Sequence, residues 1–242
     1  MKPVVVTAST MMELSLLVQQ SSAVPVGAVG QLHTFRAEVA GREVILSTTG
    51  IGKVNAASAT TLLLERYRPE FLVNTGCGGA FPGCGLSVGD LAVAQSECLA
   101  DEGVQTPEGW RGLDLIGIPV GERGGECIFN RIALDPKLSR DALDLALTGG
   151  FRAVFGPFLT VSTCSGTAAR GEELLSRFPG ICENMEGGAV AQVAFGYGIP
   201  LLEVRGISNM VEDRDLTRWD LRRAVDQAQG FLVSYLEKLP RL

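Results

Sequence analysis

Short apolar runs alternate with amphipathic stretches along the chain, and that rhythm predicts strands alternating with helices from end to end. Pro3 to Ser9 reads as a buried strand. Met11 to Gln20 then carries Met12, Leu16, Leu17 and Gln20 at helical spacing, with Thr10 as its N-cap. Leu32 to Ala40 and Glu43 to Thr49 flank an Ala-Gly-Arg turn and predict a hairpin. Val54 to Tyr67 predicts a helix stopped at Arg68-Pro69, because a residue before proline avoids the helical region. Phe71 to Thr75 reads as a short strand feeding a glycine-rich turn, Gly76-Cys77-Gly78-Gly79, and Asp90 to Cys98 as another strand. Asp135 to Leu147 predicts a helix, Val154 to Val161 a strand and Thr217 to Leu236 a last helix. Between Asp101 and Glu126 glycine and proline interrupt every period, which marks a mobile or substrate-shaping loop.

One stretch gathers polar groups around this pattern. Glu183-Asn184-Met185-Glu186-Gly187-Gly188-Ala189 leads into an alanine-rich helix pattern, Ala189 to Phe195. A Gly198-Ile199-Pro200 break and a strand-like run, Leu201 to Ile207, follow. If Glu186 opens the helix and Asn209 closes the strand, both stand at the same end of a sheet, where open α/β sheets place their ligands. Arg205 lies inside an apolar run, where a buried cation without an anionic partner is costly. Glu13 or Glu186 supplies that partner. Neither a composition break nor a repeat of fixed period divides the chain, so residues 1–242 are read as a single three-layer α/β domain.

Composition narrows the function classes. A 46% hydrophobic, 20% charged chain with 30 glycines is a packed, loop-punctuated globule rather than a disordered one. The formal charge of -6 and scattered basic residues leave no cationic patch for nucleic acid. No apolar run approaches the roughly 18 residues of a membrane span. The opening Met1-Lys2-Pro3 is read as the approach to a strand rather than a signal peptide, since Thr7, Ser9 and Glu13 interrupt the apolar region, and a cytoplasmic location is expected. Six cysteines without a C-x-x-C pair indicate neither zinc nor a disulfide framework.

Familiar motifs fail on inspection. Thr49-Gly50-Ile51-Gly52-Lys53-Val54 has Ser47 and Val54 where a P-loop needs Gly and Ser/Thr, and Gly76-Cys77-Gly78-Gly79 has Phe81 at the third glycine of a dinucleotide fingerprint. The one histidine, His33, falls on a predicted hairpin strand and is a poor base for a Ser-His-Asp triad.

Met11-Met12-Glu13, Gly50 to Ala57, Asn74 to Gly79, Asn184-Met185-Glu186-Gly187 and Val204 to Asn209, in this order, resemble the nucleoside phosphorylase and nucleosidase superfamily. The resemblance implies a three-layer α-β-α sandwich with a central mixed, twisted sheet, a nucleoside substrate, no cofactor or metal, and a homo-oligomer. Within the methylthioadenosine/S-adenosylhomocysteine nucleosidase branch, Glu183 to Gly187 with Arg205 to Glu212 and Trp219 is most similar to the futalosine hydrolases of menaquinone biosynthesis. By resemblance, Glu13 polarises the attacking water with Arg205 nearby, Glu186 binds a ribose hydroxyl, and Met185 lies against the sugar. Cys77, Gly78, Gly79 and Thr167 are expected at the substrate, with Trp219 beside the 5' extension and Arg214 or Arg111 as a cation for a terminal benzoate. The adenine-specific members carry Asp where this chain has Asn209. An amide offers NH2 to O6 and C=O to a protonated N7, which favours hypoxanthine or guanine over adenine. Three alternatives stay open: a methylthioadenosine-type nucleosidase, a purine nucleoside phosphorylase, and a non-catalytic nucleoside-binding protein.

Overall fold

The computed structural model describes residues 2–239. Its centre is a 10-stranded mixed sheet. The first strand, Val4–Ala8, is buried on both faces and runs parallel between Arg42–Thr48 and Phe71–Ala80. Such two-sided burial explains its unbroken apolar character. Val5 packs on one face with Ala56 and Leu63 of the helix Lys53–Tyr67 and Val190 of the helix Gly187–Tyr197. Val4 and Val6 pack on the other with Leu17 of Ser15–Gln20, Ala142 of Pro136–Thr148 and Phe231 of Leu221–Lys238. Helices therefore cover both faces, and the three-layer expectation holds.

Local chemistry accounts for the element ends. The hairpin Thr34–Val39 and Arg42–Thr48 turns through Ala40 (φ 52°) and Gly41 (φ 81°), the positive-φ pair that matches the twist of the flanking strands. Asp135 caps Pro136–Thr148 by accepting the N–H groups of Lys137 and Leu138, with proline at the first helical position. The predicted Met11–Gln20 helix divides into a 3-10 turn, Met11–Glu13, and the helix Ser15–Gln20.

The sheet also closes on itself. Leu91–Leu99 pairs with Ala153–Thr160, which pairs with Cys182–Asn184, which pairs with Phe71–Ala80. Leu201–Met210 runs parallel to Phe71–Ala80 and antiparallel to Leu91–Leu99, returning the path to its start. Gly76-Cys77-Gly78-Gly79 is consequently not a turn. It continues the strand Phe71–Ala80, hydrogen-bonded to Leu201–Met210 throughout and to Cys182–Asn184 near its end. Residues 101–126 contain a small hairpin, Val104–Thr106 with Gly109–Arg111, a 3-10 turn, Leu113–Ile116, and the short strand Gly121–Arg123.

Candidate active site

The first strand ends at Ala8, and the 3-10 turn after it folds Glu13 back over the sheet. Glu13 is 5% exposed. Its Oε2 accepts the N–H and Oγ–H of Thr10, both at 2.9 Å, and its Oε1 accepts the Cys77 N–H at 3.0 Å. Gly76 makes this approach possible, because a Cβ there would stand 2.5 Å from Glu13 Oε1 and 3.1 Å from Arg205 Nη1. The Cys77 thiol lies 3.5 Å from Glu13 Oε1, and burial followed by the Glu13 charge pushes its pKa up to about 12. That thiol is neutral at physiological pH and is no nucleophile.

Arg205 is 1% exposed and held from several sides. Its Nε donates to Glu203 Oε1 at 2.9 Å, and its Nη1 donates to the Cys77 carbonyl at 3.1 Å and Glu186 Oε2 at 3.4 Å. Behind it, Glu203 Oε1 also accepts Asn74 Nδ2–H, and Glu97 accepts Thr160 Oγ1–H at 2.7 Å and Asn184 Nδ2–H at 2.7 Å. Each strand of the closed ring thus places a polar side chain in one buried network. A Cβ on Gly187 would stand 2.0 Å from Glu97 Oε1 and 2.5 Å from both Glu203 oxygens, so the two carboxyls converge over that glycine. Burial, and then the charge of Glu203, raises Glu97 well above the ordinary carboxylate range, and burial raises Glu203 as well against the pull of Arg205. Two bare anions at this separation in a dry site repel strongly, so the pair retains one proton on Glu97. Glu203 Oε2 is buried without a hydrogen-bond partner among the described residues, and the neighbouring Glu97 carboxyl helps to stabilise the ionised Glu203.

Glu186 precedes the helix Gly187–Tyr197. Its Oε1 accepts the Gly52 N–H at 2.9 Å, while Asn184 Oδ1 receives the backbone N–H groups of Glu186 and Gly187. At the end of Leu201–Met210, Asn209 Nδ2 donates to the Met210 carbonyl at 3.0 Å and its Oδ1 accepts Ser208 Oγ–H at 2.8 Å. Each side of the amide keeps one unused valence, a hydrogen on Nδ2 and a lone pair on Oδ1.

Glu13, Arg205, Glu186 and Asn209 all line one cavity of about 250 Å³, together with Met185, Cys77, Gly78, Gly79 and Trp219. The Arg214 guanidinium stacks 4.4 Å from the centre of the Trp219 ring, placing a cation beside that wall. Thr167 lies apart. It is exposed and caps the helix Ala168–Arg177 by accepting the Arg170 N–H, because a threonine just ahead of a helix serves its first turn better than a ligand. His33 is exposed on its strand approach. Sequence reasoning gave no role to Glu183 and Ser165, which also line the cavity and bond to each other through Ser165 N–H (2.9 Å) and Oγ–H (2.5 Å). Glu183 sat within the quoted polar segment, and only the sheet register brings it to the site. Among the described residues no group of His, Cys, Asp and Glu is placed to hold a metal ion, and no helix is long and apolar enough to cross a membrane.

Comparison with known proteins gives the family of the chain. A family profile described as "Phosphorylase superfamily" matches residues 3–237. A 5'-methylthioadenosine/S-adenosylhomocysteine nucleosidase of Listeria innocua is 30% identical over 230 residues, 94% of this chain and 95% of its own length. Its counterpart in Bacillus thuringiensis is 32% identical over 206 residues, 84% and 85% of the two chains. The crystal structure of the Neisseria meningitidis nucleosidase of the same name, in complex with methylthio-immucillin-A, superposes with a TM-score of 0.85 over 99% of this chain and 100% of that one. At 24% identity that likeness bears on the fold. The chain belongs to the phosphorylase superfamily, in its branch of methylthioadenosine/S-adenosylhomocysteine nucleosidase-like N-glycosyl hydrolases.

Proposed function

We propose that this chain hydrolyses the N-glycosidic bond of a 6-oxopurine nucleoside, with futalosine as the leading substrate and hypoxanthine as the released base. The observation that carries the choice of base is Asn209. Its amide is pinned by Met210 and Ser208, and it lines the same cavity as Glu13. The remaining N–H serves O6 and the remaining lone pair serves a protonated N7, whereas adenine would leave these groups mismatched.

The other groups divide the work of cleaving a bond through a sugar cation. Glu13, anchored by Thr10 and the Cys77 N–H, orients the attacking water, which replaces the weak thiol contact. Glu186 receives a ribose hydroxyl and lies near the developing positive charge. Arg205 holds Glu186 in place, with its Nε on Glu203, its Nη1 on the Cys77 carbonyl and Glu186, and its Nη2 on Asn184 Oδ1. No arginine occurs between Ser9 and Glu13, and the Glu13 carboxylate repels phosphate, which supports water as the nucleophile over phosphate. The N7 proton comes from water, because an amide has none to give. The Trp219–Arg214 wall supports a 5' extension with an aromatic, anionic end.

A second reading has its own support. The relatives' names back methylthioadenosine and S-adenosylhomocysteine more directly than futalosine. Incubating the enzyme with futalosine, inosine and methylthioadenosine in phosphate-free buffer, and following the free base, separates the two. Hypoxanthine from futalosine is the expected product. Adenine from methylthioadenosine alone overturns the 6-oxopurine reading, and turnover only on adding phosphate overturns hydrolysis.

A further inference from the structure

We infer that Glu183 reads the purine edge adjoining the one that Asn209 meets, accepting its N1–H, and that these two residues together select a 6-oxopurine. This rests on the nucleosidase reading of the same cavity. Gly79 pairs with Glu183 on one side and with Asn209 on the other. Laterally paired residues of a sheet project from the same face, and all three line the cavity. Gly79 carries no side chain, and Asn209 leans over it, its amide nitrogen 3.0 Å from where a Cβ would stand. The strands carrying Glu183 and Asn209 are two spacings apart, about 10 Å. Both side chains border the one cavity of about 250 Å³, so a base held there meets Asn209 along its N7/O6 edge and Glu183 along the adjoining N1 edge.

The surroundings of Glu183 set which kind of edge it can meet. Ser165 turns both its N–H (2.9 Å) and its Oγ–H (2.5 Å) onto the Glu183 carboxylate. These donors of the 162–167 segment are therefore consumed, and Glu183 faces the cavity with lone pairs. Burial raises the Glu183 pKa, and the two Ser165 bonds oppose that rise by stabilising the ionised form.

The wall then offers an ordered set: the Asn209 carbonyl accepts, the Asn209 amide donates, the Glu183 carboxylate accepts. A 6-oxopurine protonated at N7 presents the complement, with a donor at N7, an acceptor at O6 and a donor at N1. Adenine presents a donor at its 6-amino group and an acceptor at N1, and conflicts with the wall at both. Burying such unpaired groups is how polar sites reject close analogues.

Isothermal titration of the full chain with hypoxanthine, 1-methylhypoxanthine and adenine, run beside futalosine turnover, tests the assignment. Wild-type protein is expected to bind hypoxanthine about 10- to 100-fold tighter than either other base, the range of a hydrogen bond to a charged group. Glu183→Gln is expected to weaken hypoxanthine by a similar factor and to close the gap to 1-methylhypoxanthine. Equal wild-type affinity for hypoxanthine and 1-methylhypoxanthine overturns the proposal without needing the variant. An unchanged preference in Glu183→Gln also overturns it, and in either case futalosine turnover leaves the nucleosidase reading standing. Release of adenine from methylthioadenosine with no futalosine turnover overturns both.

Discussion

Glu13 and Asn209 do different jobs, and their substitution separates them. Glu13→Gln keeps the size of the side chain but removes the charge that orients water, and it turns an NH2 donor toward either the Thr10 or the Cys77 N–H in place of an acceptor. Turnover is expected to fall about 10²–10⁴-fold while the affinity for free base is retained, measured by steady-state kinetics and titration. Asn209→Asp puts an acceptor in place of the Nδ2 donor that faces O6. The ratio of kcat/KM for inosine to that for methylthioadenosine should fall, and an unchanged ratio counts against base reading by this residue. Arg205 was legible in the sequence because it interrupts an apolar run, where a charge needs a partner, whereas Glu13, Glu186 and Asn209 stood out only through the order of motifs shared with the superfamily. Glu203 interrupts the same apolar run as Arg205, two residues earlier, yet it and Glu97 were given no role. Their burial becomes evident only when strands distant in sequence close around them, and the proton they share exists only in that closed arrangement.

Most elements were visible as apolar periods, and the misses have physical causes. The strand Cys182–Asn184 is three residues long, too short to display a period. The helix Ala168–Arg177 buries only Gly171 and Leu174, so its polar surface hid it. Gly76 to Gly79 suggested a turn by composition, yet the flanking strands supply the hydrogen bonds that hold glycine extended. The start of Lys53–Tyr67 makes a prediction at this scale. Lys53 is a cation at the positive end of its helix dipole, an unfavourable place. It is balanced by Asp101 at 2.6 Å and Glu102 at 2.8 Å, and Asp101 also accepts the Ser162 N–H at 2.5 Å. Burial pulls Asp101 upward, but the Lys53 and Ser162 bonds outweigh it and hold the carboxyl below its ordinary range. Lys53→Met should cost about 1–3 kcal/mol of stability, between exposed and buried pairs. It should also accelerate amide hydrogen exchange near Asp101 and Ser162.

Across the whole molecule, the buried carboxyl pair sets a pH dependence of stability. The folded chain keeps a proton on Glu97 that the unfolded chain releases above its ordinary value of 4.5. Below that value the contribution is fully present, and it is lost as pH rises through the elevated folded pKa. Glu97→Gln removes this titration. Denaturation of the two proteins between about pH 5 and pH 8 should therefore give a flatter slope for the variant. Equal slopes would mean that Glu97 is ionised in the fold.

The closed ring of strands also bears on how the protein is made. Thr75 bonds to the carbonyl of Val204 across 129 positions of sequence, and Asn74 reaches Glu203 over the same span. Contacts of such range are slow to form, since a long loop must be ordered before they return any energy. A growing polypeptide that has not yet emerged past Leu201 has no Arg205 to meet Glu186 and no Asn209 to meet a base. Catalytic competence should therefore appear late in biogenesis and all at once. Proteolysis or early termination before Met210 would yield an inert, sticky fragment rather than a weakened enzyme.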